Sequence, residues 1–163
     1  MIPEIARLTR LNRGTGPSTL FNLGYFEARM KMNSVAENFS AFWLESSEHA
    51  RTNVALFCEL DIFEYFQNGV YVGSMHNWTQ PTEEHNGNNW HPLPSGTDFS
   101  QFHTYGVLWT TAEVTWYFDD QPLMSWPTYD ICKTQDMFLI LGAQSHGGPN
   151  DVDMTGDWVH VFR

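Results

Sequence analysis

Three carboxylates in one short stretch constrain this chain more than any other feature. The stretch is Cys58-Glu59-Leu60-Asp61-Ile62-Phe63-Glu64-Tyr65-Phe66, whose aromatic and branched residues favour a β-strand. Strand side chains alternate faces, so Glu59 and Asp61 share one face and Leu60 and Ile62 the other. Regular alternation would put Glu64 on the apolar face with Leu56, Leu60 and Ile62. A lone carboxylate there is costly, and no cation lies near it in sequence. One extra residue, a β-bulge, removes the conflict and returns Glu64 to the side of Glu59 and Asp61. The Cα atoms of Glu59 and Glu64 then lie roughly 13 Å apart, at about 3.4 Å per strand step. Side chains leaning together bring the carboxyls towards the ~5–5.5 Å separation of a retaining glycosidase.

The rest of the chain reads at the same period. Phe26, Ala28, Met30 and Met32 alternate with Glu27, Arg29 and Lys31, which predicts a strand with one apolar face. Phe39 to Leu44 reads as a second strand, carrying Trp43, and the carboxylate strand runs from about Leu56 to Phe66. Gln67-Asn68-Gly69 is a hairpin signal. Val70 to Thr79 should therefore pair antiparallel with the carboxylate strand and turn Ser74, His76 and Trp78 to the glutamate side. Gln80 to Gln101 is expected as a long polar loop holding Trp90. His103, Tyr105, Val107 and Trp109 alternate through another strand, and Val114 to Phe118 turns back through Asp119-Asp120-Gln121-Pro122. Met137 to Gln144 reads as an apolar central strand. The loop from Ser145 to Asp157 leads into a last strand, Trp158 to Arg163. Many short antiparallel strands without a convincing helix predict an all-β fold: a β-sandwich jelly roll whose concave face holds a substrate groove.

Composition narrows the function. A chain of 163 residues supports one domain, 1–163, and 15% aromatic content with seven tryptophans exceeds what a core alone requires. A net charge of −11 argues against nucleic acid and anionic membranes as partners, and mildly against heavily sulfated polymers. No apolar run is long enough to span a membrane, and Met1 to Asn12 lacks a signal-peptide core. Cys58 and Cys132 do not make a disulfide framework; buried free thiols are expected, with a bridge between them as the alternative. No zinc-ligand pattern occurs, so neither a metal nor a cofactor is expected.

Several segments resemble glycoside hydrolase family 16, in its bulged branch of laminarinases, agarases and endo-galactanases. Glu59 to Glu64 resembles that branch's E-x-D-x-x-E signature. Gly24-Tyr25-Phe26-Glu27-Ala28-Arg29-Met30-Lys31 is similar to its G-Y-F-E-A-R-x-K strand, and Ala41-Phe42-Trp43-Leu44 to its groove-tryptophan strand. His76-Asn77-Trp78, the run Phe102 to Trp109 and the closing Asp157 to Phe162 follow in the family's order. The resemblance implies an extracellular or cell-surface endo-β-glycosidase acting on a polysaccharide, β-1,3-glucan first and β-galactan second. It implies Glu59 as nucleophile, Asp61 as the residue orienting it, and Glu64 as acid and base. Trp43, His76, Trp78, Trp90 and Trp109 are the candidate substrate-binding residues, Trp109 standing equally as core. The family's strands ahead of Gly24 are mostly lacking here, so the domain reads as shortened at its N-terminus. A structural calcium usually held by that region is without support. A non-catalytic carbohydrate-binding jelly roll and a transglycosylase are the alternative readings.

Overall fold

The computed structural model describes residues 19–35, 38–66, 69–78, 83–85, 90–145 and 152–163. Strand β1 (Gly24–Met32) follows its sequence closely: Phe26, Ala28, Met30 and Met32 are buried and the residues between them are half-exposed. After it come β2 (Asn38–Ser46), a one-and-a-half-turn helix α1 (Ser47–Thr52), β3 (Phe57–Glu64) and β4 (Val70–Trp78). Two short strands, β5 (Glu83–His85) and β6 (Trp90–Pro92), precede β7 (His103–Trp109), β8 (Glu113–Phe118) and β9 (Gln121–Pro127). A 3-10 turn at Asp130–Lys133 leads to β10 (Met137–Ser145) and β11 (Met154–Phe162).

Two antiparallel sheets stack on one core. One has the order β11-β1-β7-β8-β9; the other runs β10-β2-β3-β4-β5, with β6 also pairing to β4. The β-sandwich expectation therefore holds. Aromatic rings from both sheets fill the interior, with Phe63 lying 4.1 Å from Tyr105 and 5.1 Å from Tyr71 between ring centroids. Edge-on and offset ring pairs of this kind contribute about 0.5–1.5 kcal/mol each beyond their burial.

The bulge lies in β3. On the β4 side, Asp61 faces Ser74 and Glu64 faces Val72, so three steps on β3 answer two on β4. On the β2 side, Trp43 faces Asp61 and Phe42 faces Phe63, leaving Ile62 as the extra residue. Ile62 and Phe63 both point into the core at full burial. A bulge strips backbone groups of their ladder partners, and a buried unpaired carbonyl costs about 1–3 kcal/mol. Two core side chains remove that cost. Trp116 Nε1 donates to the Asp61 carbonyl at 2.8 Å, and the Tyr71 hydroxyl donates to the Ile62 carbonyl. Gly73 makes room for this, because a Cβ there would lie 2.5 Å from Trp116 Cδ1.

Several expectations need correction. The stretch expected as an uninterrupted loop, Gln80 to Gln101, contains β5 and β6. Met137 to Gln144 is not central: among the described residues β10 is an edge strand, met beyond β2 by an isolated bridge from Phe21 to Met137. The apolar run misled because both faces of this edge are only half-covered. The chain also has a helix, α1, too short to show a helical period. The hairpin turn expected at Gln67-Asn68 falls outside the described residues, although Gly69 takes the left-handed φ of 81° that a tight turn needs. The free-thiol expectation fails: Cys58 and Cys132 form a disulfide across 74 residues, tying the start of β3 to the 3-10 turn. Sequence spacing cannot show that the turn folds back over β3. No helix among the described residues is long and apolar enough to cross a membrane.

Candidate active site

The bulge brings Glu59, Asp61 and Glu64 to one cavity of about 300 Å³ on the outer face of the six-stranded sheet. Trp43 and Ala41 of β2 flank the carboxylates, and Ile140, Gly142 and Gln144 of β10 form the opposite wall. Antiparallel register supplies the neighbours on the other side. His76 stands opposite Glu59, Ser74 opposite Asp61 and Trp78 opposite Phe57. The predicted face of β4 is thus the one that meets the acids.

Each acid has a different environment. Trp78 Nε1 donates to Glu59 Oε2 at 3.0 Å. His76 Nε2 lies 2.8 Å from Asp61 Oδ2, and Asp61 is 3% exposed. An ionised carboxylate only accepts, so His76 is the donor in that bond. Burial pushes the Glu59 carboxyl up to about 7; the Asp61 and Glu45 charges add to this, while His76 and the Trp78 bond oppose it. Burial also pushes Glu64 up, to about 8, with the charges of Asp61 and Glu59 reinforcing it and His76 opposing it. The two carboxyls titrate as an interacting pair, and the Trp78 bond favours the charged form of Glu59.

The remaining candidates separate. Trp43 lines the cavity. Trp78 reaches Glu59 and is near-parallel to two other rings, His76 at 5.4 Å along β4 and Phe57 at 5.7 Å across on β3. Trp90 is 42% exposed on β6 and stacks on Phe66, which in turn lies 5.1 Å from Phe39 at the cavity's end. Trp109 does not reach the groove. It is 1% exposed, packs against Phe26 inside the sandwich, and its alternation with Tyr105 and Val107 is that of a core face. The sequence reading missed Phe39 and Phe66, whose row with Trp90 requires β6 to pair with β4. Glu45 could have been found, since it is two residues beyond Trp43 on the same face, directly opposite Glu59.

Glu59, Asp61 and His76 also bring one possible ligand atom each within 4.8 Å of one another.

The family model for glycosyl hydrolases family 16 matches residues 10–142. The chain belongs to that family. Among family 16 relatives, it is 33% identical over 148 residues to endo-1,3-1,4-beta-glycanase EglC of Rhizobium meliloti, covering 85% of this chain and 30% of that one. It is 31% identical over 129 residues to kappa-carrageenase of Pseudoalteromonas carrageenovora, covering 68% and 30%. It thus spans under a third of the length of these curated relatives. The family 16 fold is seen again in the catalytic domain of an endo-1,3-beta-glucanase (laminarinase) from Thermotoga petrophila. That structure matches with a TM-score of 0.74 over 91% of this chain and 67% of its own, at 22% identity.

Proposed function

We propose that this chain is an endo-acting β-glycosidase that cleaves a polysaccharide with retention of anomeric configuration. The observation that carries the reading is the bulge, which brings Glu59 and Glu64 to one cavity, both with raised proton affinity. Glu59, whose charged form the Trp78 bond favours, attacks the anomeric carbon. Glu64, whose proton affinity burial raises, gives its proton to the departing sugar oxygen. Glu64 is then the base that takes a proton from water as water displaces Glu59 from the glycosyl intermediate. Asp61, held by His76, and Trp78 fix the nucleophile's position. Trp43 offers a ring to a sugar face, and the row Phe39, Phe66 and Trp90 extends the surface beyond Glu64. We read Glu59, Asp61 and His76 as hydrogen-bonding groups rather than metal ligands, because Trp78 and Asp61 already engage them.

The preferred substrate is a neutral β-1,3-linked glucan, with a β-galactan second. The cavity is lined by three carboxylates, the Gln144 amide and apolar groups, and the chain carries a net charge of −11, a poor surface for a polyanion. The relative from Rhizobium meliloti is named for 1,3-1,4-β-linkages and the Thermotoga petrophila enzyme for β-1,3-glucan. The disulfide suits an oxidising, extracellular setting.

The test is product analysis on laminarin, mixed-linkage glucan, agarose and galactan, with proton NMR of the first-formed anomer. Release of β-configured oligosaccharides that Glu59→Gln abolishes is the expected result. Initial formation of the α anomer overturns retention. Products longer than the substrate assign transglycosylation, and binding without release assigns a binding module.

A further inference from the structure

Gly142 lies in the interior of β10, where a glycine weakens the strand. It loses more freedom on folding than other residues and has no side chain to pack. A strand keeps such a residue for a bulge or bend, for an unusual φ, or for close approach by another group. The pairing of β10 with β2 runs unbroken from Met137 opposite Ser46 to Ser145 opposite Asn38, so there is no bulge. The φ of Gly142 is not left-handed. Nothing among the described residues presses on it, since a Cβ there would meet no atom within 4 Å. Gly73, Gly106 and Gly156 differ. A Cβ at Gly73 or Gly106 would strike the Trp116 or Tyr25 side chain, and Gly156 flanks a register shift. Of the usual reasons, approach by a ligand is the one left for Gly142.

The open space is in line with the acids. Gly142 pairs with Ala41, and Ala41 with Glu64, so the three form one row across β10, β2 and β3. Neighbouring strands lie about 4.8 Å apart, so the row runs roughly 10 Å. That is room for a sugar ring beyond the one held at the acids. Ala41 and Gly142 keep this path clear of bulk. Phe39 and Trp43 border it on β2, and Ile140 and Gln144 border it on β10. The two rings offer faces to the C–H groups of a sugar, and the Gln144 amide both donates and accepts, as a hydroxyl requires. Among the described residues β10 is an edge strand, so the gap at Gly142 leads out of the cavity.

We propose that Gly142 is a specificity-determining residue, opening a subsite over Ala41 where a neutral polymer passes between Ile140 and Gln144 and out across β10. The inference rests on the cavity being a glycan cleft, as proposed above, but not on which acid takes which role. Selection here is by absence of bulk: a side chain at position 142 would stand in the polymer's path. A chain that can continue past β10 is cut within its length rather than at its end.

The test is calorimetric titration of laminarin and galactan oligosaccharides of increasing length into Glu59→Gln, with and without Gly142→Val or Gly142→Ala. Val suits a strand and fills the gap, and Ala fills less of it. Gly142→Val should weaken binding of long chains about tenfold or more, and Gly142→Ala by less but measurably. With Glu59 intact, both variants should keep the parent's kcat/KM on a β-glycosyl fluoride, whose one-atom leaving group cannot reach the gap. Both should melt at or above the parent's temperature, because a side chain replaces a glycine in open space. Equal affinity for long chains in the parent and Gly142→Val overturns the proposal; if that variant does not fold, unchanged affinity in Gly142→Ala has the same force. A lower melting temperature in Gly142→Ala also overturns it, as the mark of a glycine kept for folding. So does an equal loss on the fluoride, which would make Gly142 a general support of the acids. If chains bind but the parent cleaves none, the proposed function fails while the binding ladder still decides the subsite.

Discussion

The indole nitrogen of Trp116 donates to the backbone carbonyl of Asp61 at 2.8 Å, so the core of the five-stranded sheet holds the acid-bearing strand of the other sheet in its bulged shape. Neither residue shows this in the sequence. Trp116→Phe keeps most of the ring volume and removes the donor. It should destabilise the fold by about 1–3 kcal/mol, the cost of an unpaired buried carbonyl. Gly73→Ala should produce a comparable loss by driving a Cβ against the same indole. Urea denaturation of both variants, read beside the parent, is the measurement; stability equal to the parent's in Trp116→Phe would show that the bulge does not need the bond.

Rate should depend on pH through the two raised carboxyls. The proposed roles require Glu59 ionised and Glu64 protonated, so kcat/KM should rise as pH approaches about 7 and fall beyond about 8. The profile is expected to be a narrow bell. With an aryl glycoside that needs no acid help, Glu64→Gln should retain measurable glycosylation and lose the alkaline limb. A flat profile from weakly acid to weakly alkaline pH would contradict the assigned roles.

Stability follows the opposite sense from an ordinary ion-paired acid. Both carboxyls hold their protons more firmly in the folded chain than their ordinary value of 4.5. That preference stabilises the fold at low pH and is lost as the pH climbs through about 7 and 8. Glu64→Gln cannot ionise. It should match the parent near pH 4 and exceed it near pH 9 by on the order of 1–2 kcal/mol. Melting curves at both pH values check the sign.

The aromatic row beyond Glu64 should matter only to long substrates. Trp90→Ala removes an exposed ring stacked on Phe66 and is expected to raise KM for polymer about tenfold with little change in kcat. Short oligosaccharides should be unaffected. Kinetics on a ladder of chain lengths measures this, and equal losses at every length would place Trp90 outside the substrate path.

Removing the bridge with Cys58→Ser and Cys132→Ser together should lower stability by about 2–4 kcal/mol, because the bond closes a long stretch of chain. The lost link sits one residue before Glu59, so activity should decline before the fold melts. Residual activity followed along a thermal ramp, beside a spectroscopic melt, separates the two events.

Much of the site was legible because parity is a strict rule. Glu64 at an odd offset from Glu59 had to be rescued by an inserted residue, and the register changes where that reasoning put the change. His76 and Trp78 followed from the hairpin. Other features depend on packing that no local pattern carries. Trp109 alternates as well for a core as for a groove, and the stacking order of the sheets decides between them. Cys132 sits in a turn whose path over β3 is a tertiary fact. The His49 ring stacks on Phe57 because α1 carries it back over β3, and one and a half turns of helix leave no periodic trace.

The surplus residue in β3 sends its side chain into the interior, and this decouples strand length from the polarity of the cleft. Deletion of Ile62 would leave Glu59, Asp61 and Glu64 aligned on a plainly alternating ribbon, at the expense of the two core anchors. A further insertion at the same point also makes the offset even, but a regular strand then sets Glu64 six steps from Glu59 instead of four, roughly 7 Å farther away. Tolerance to length change here is thus lopsided, and shortening is the safer route for anyone reshaping this cleft.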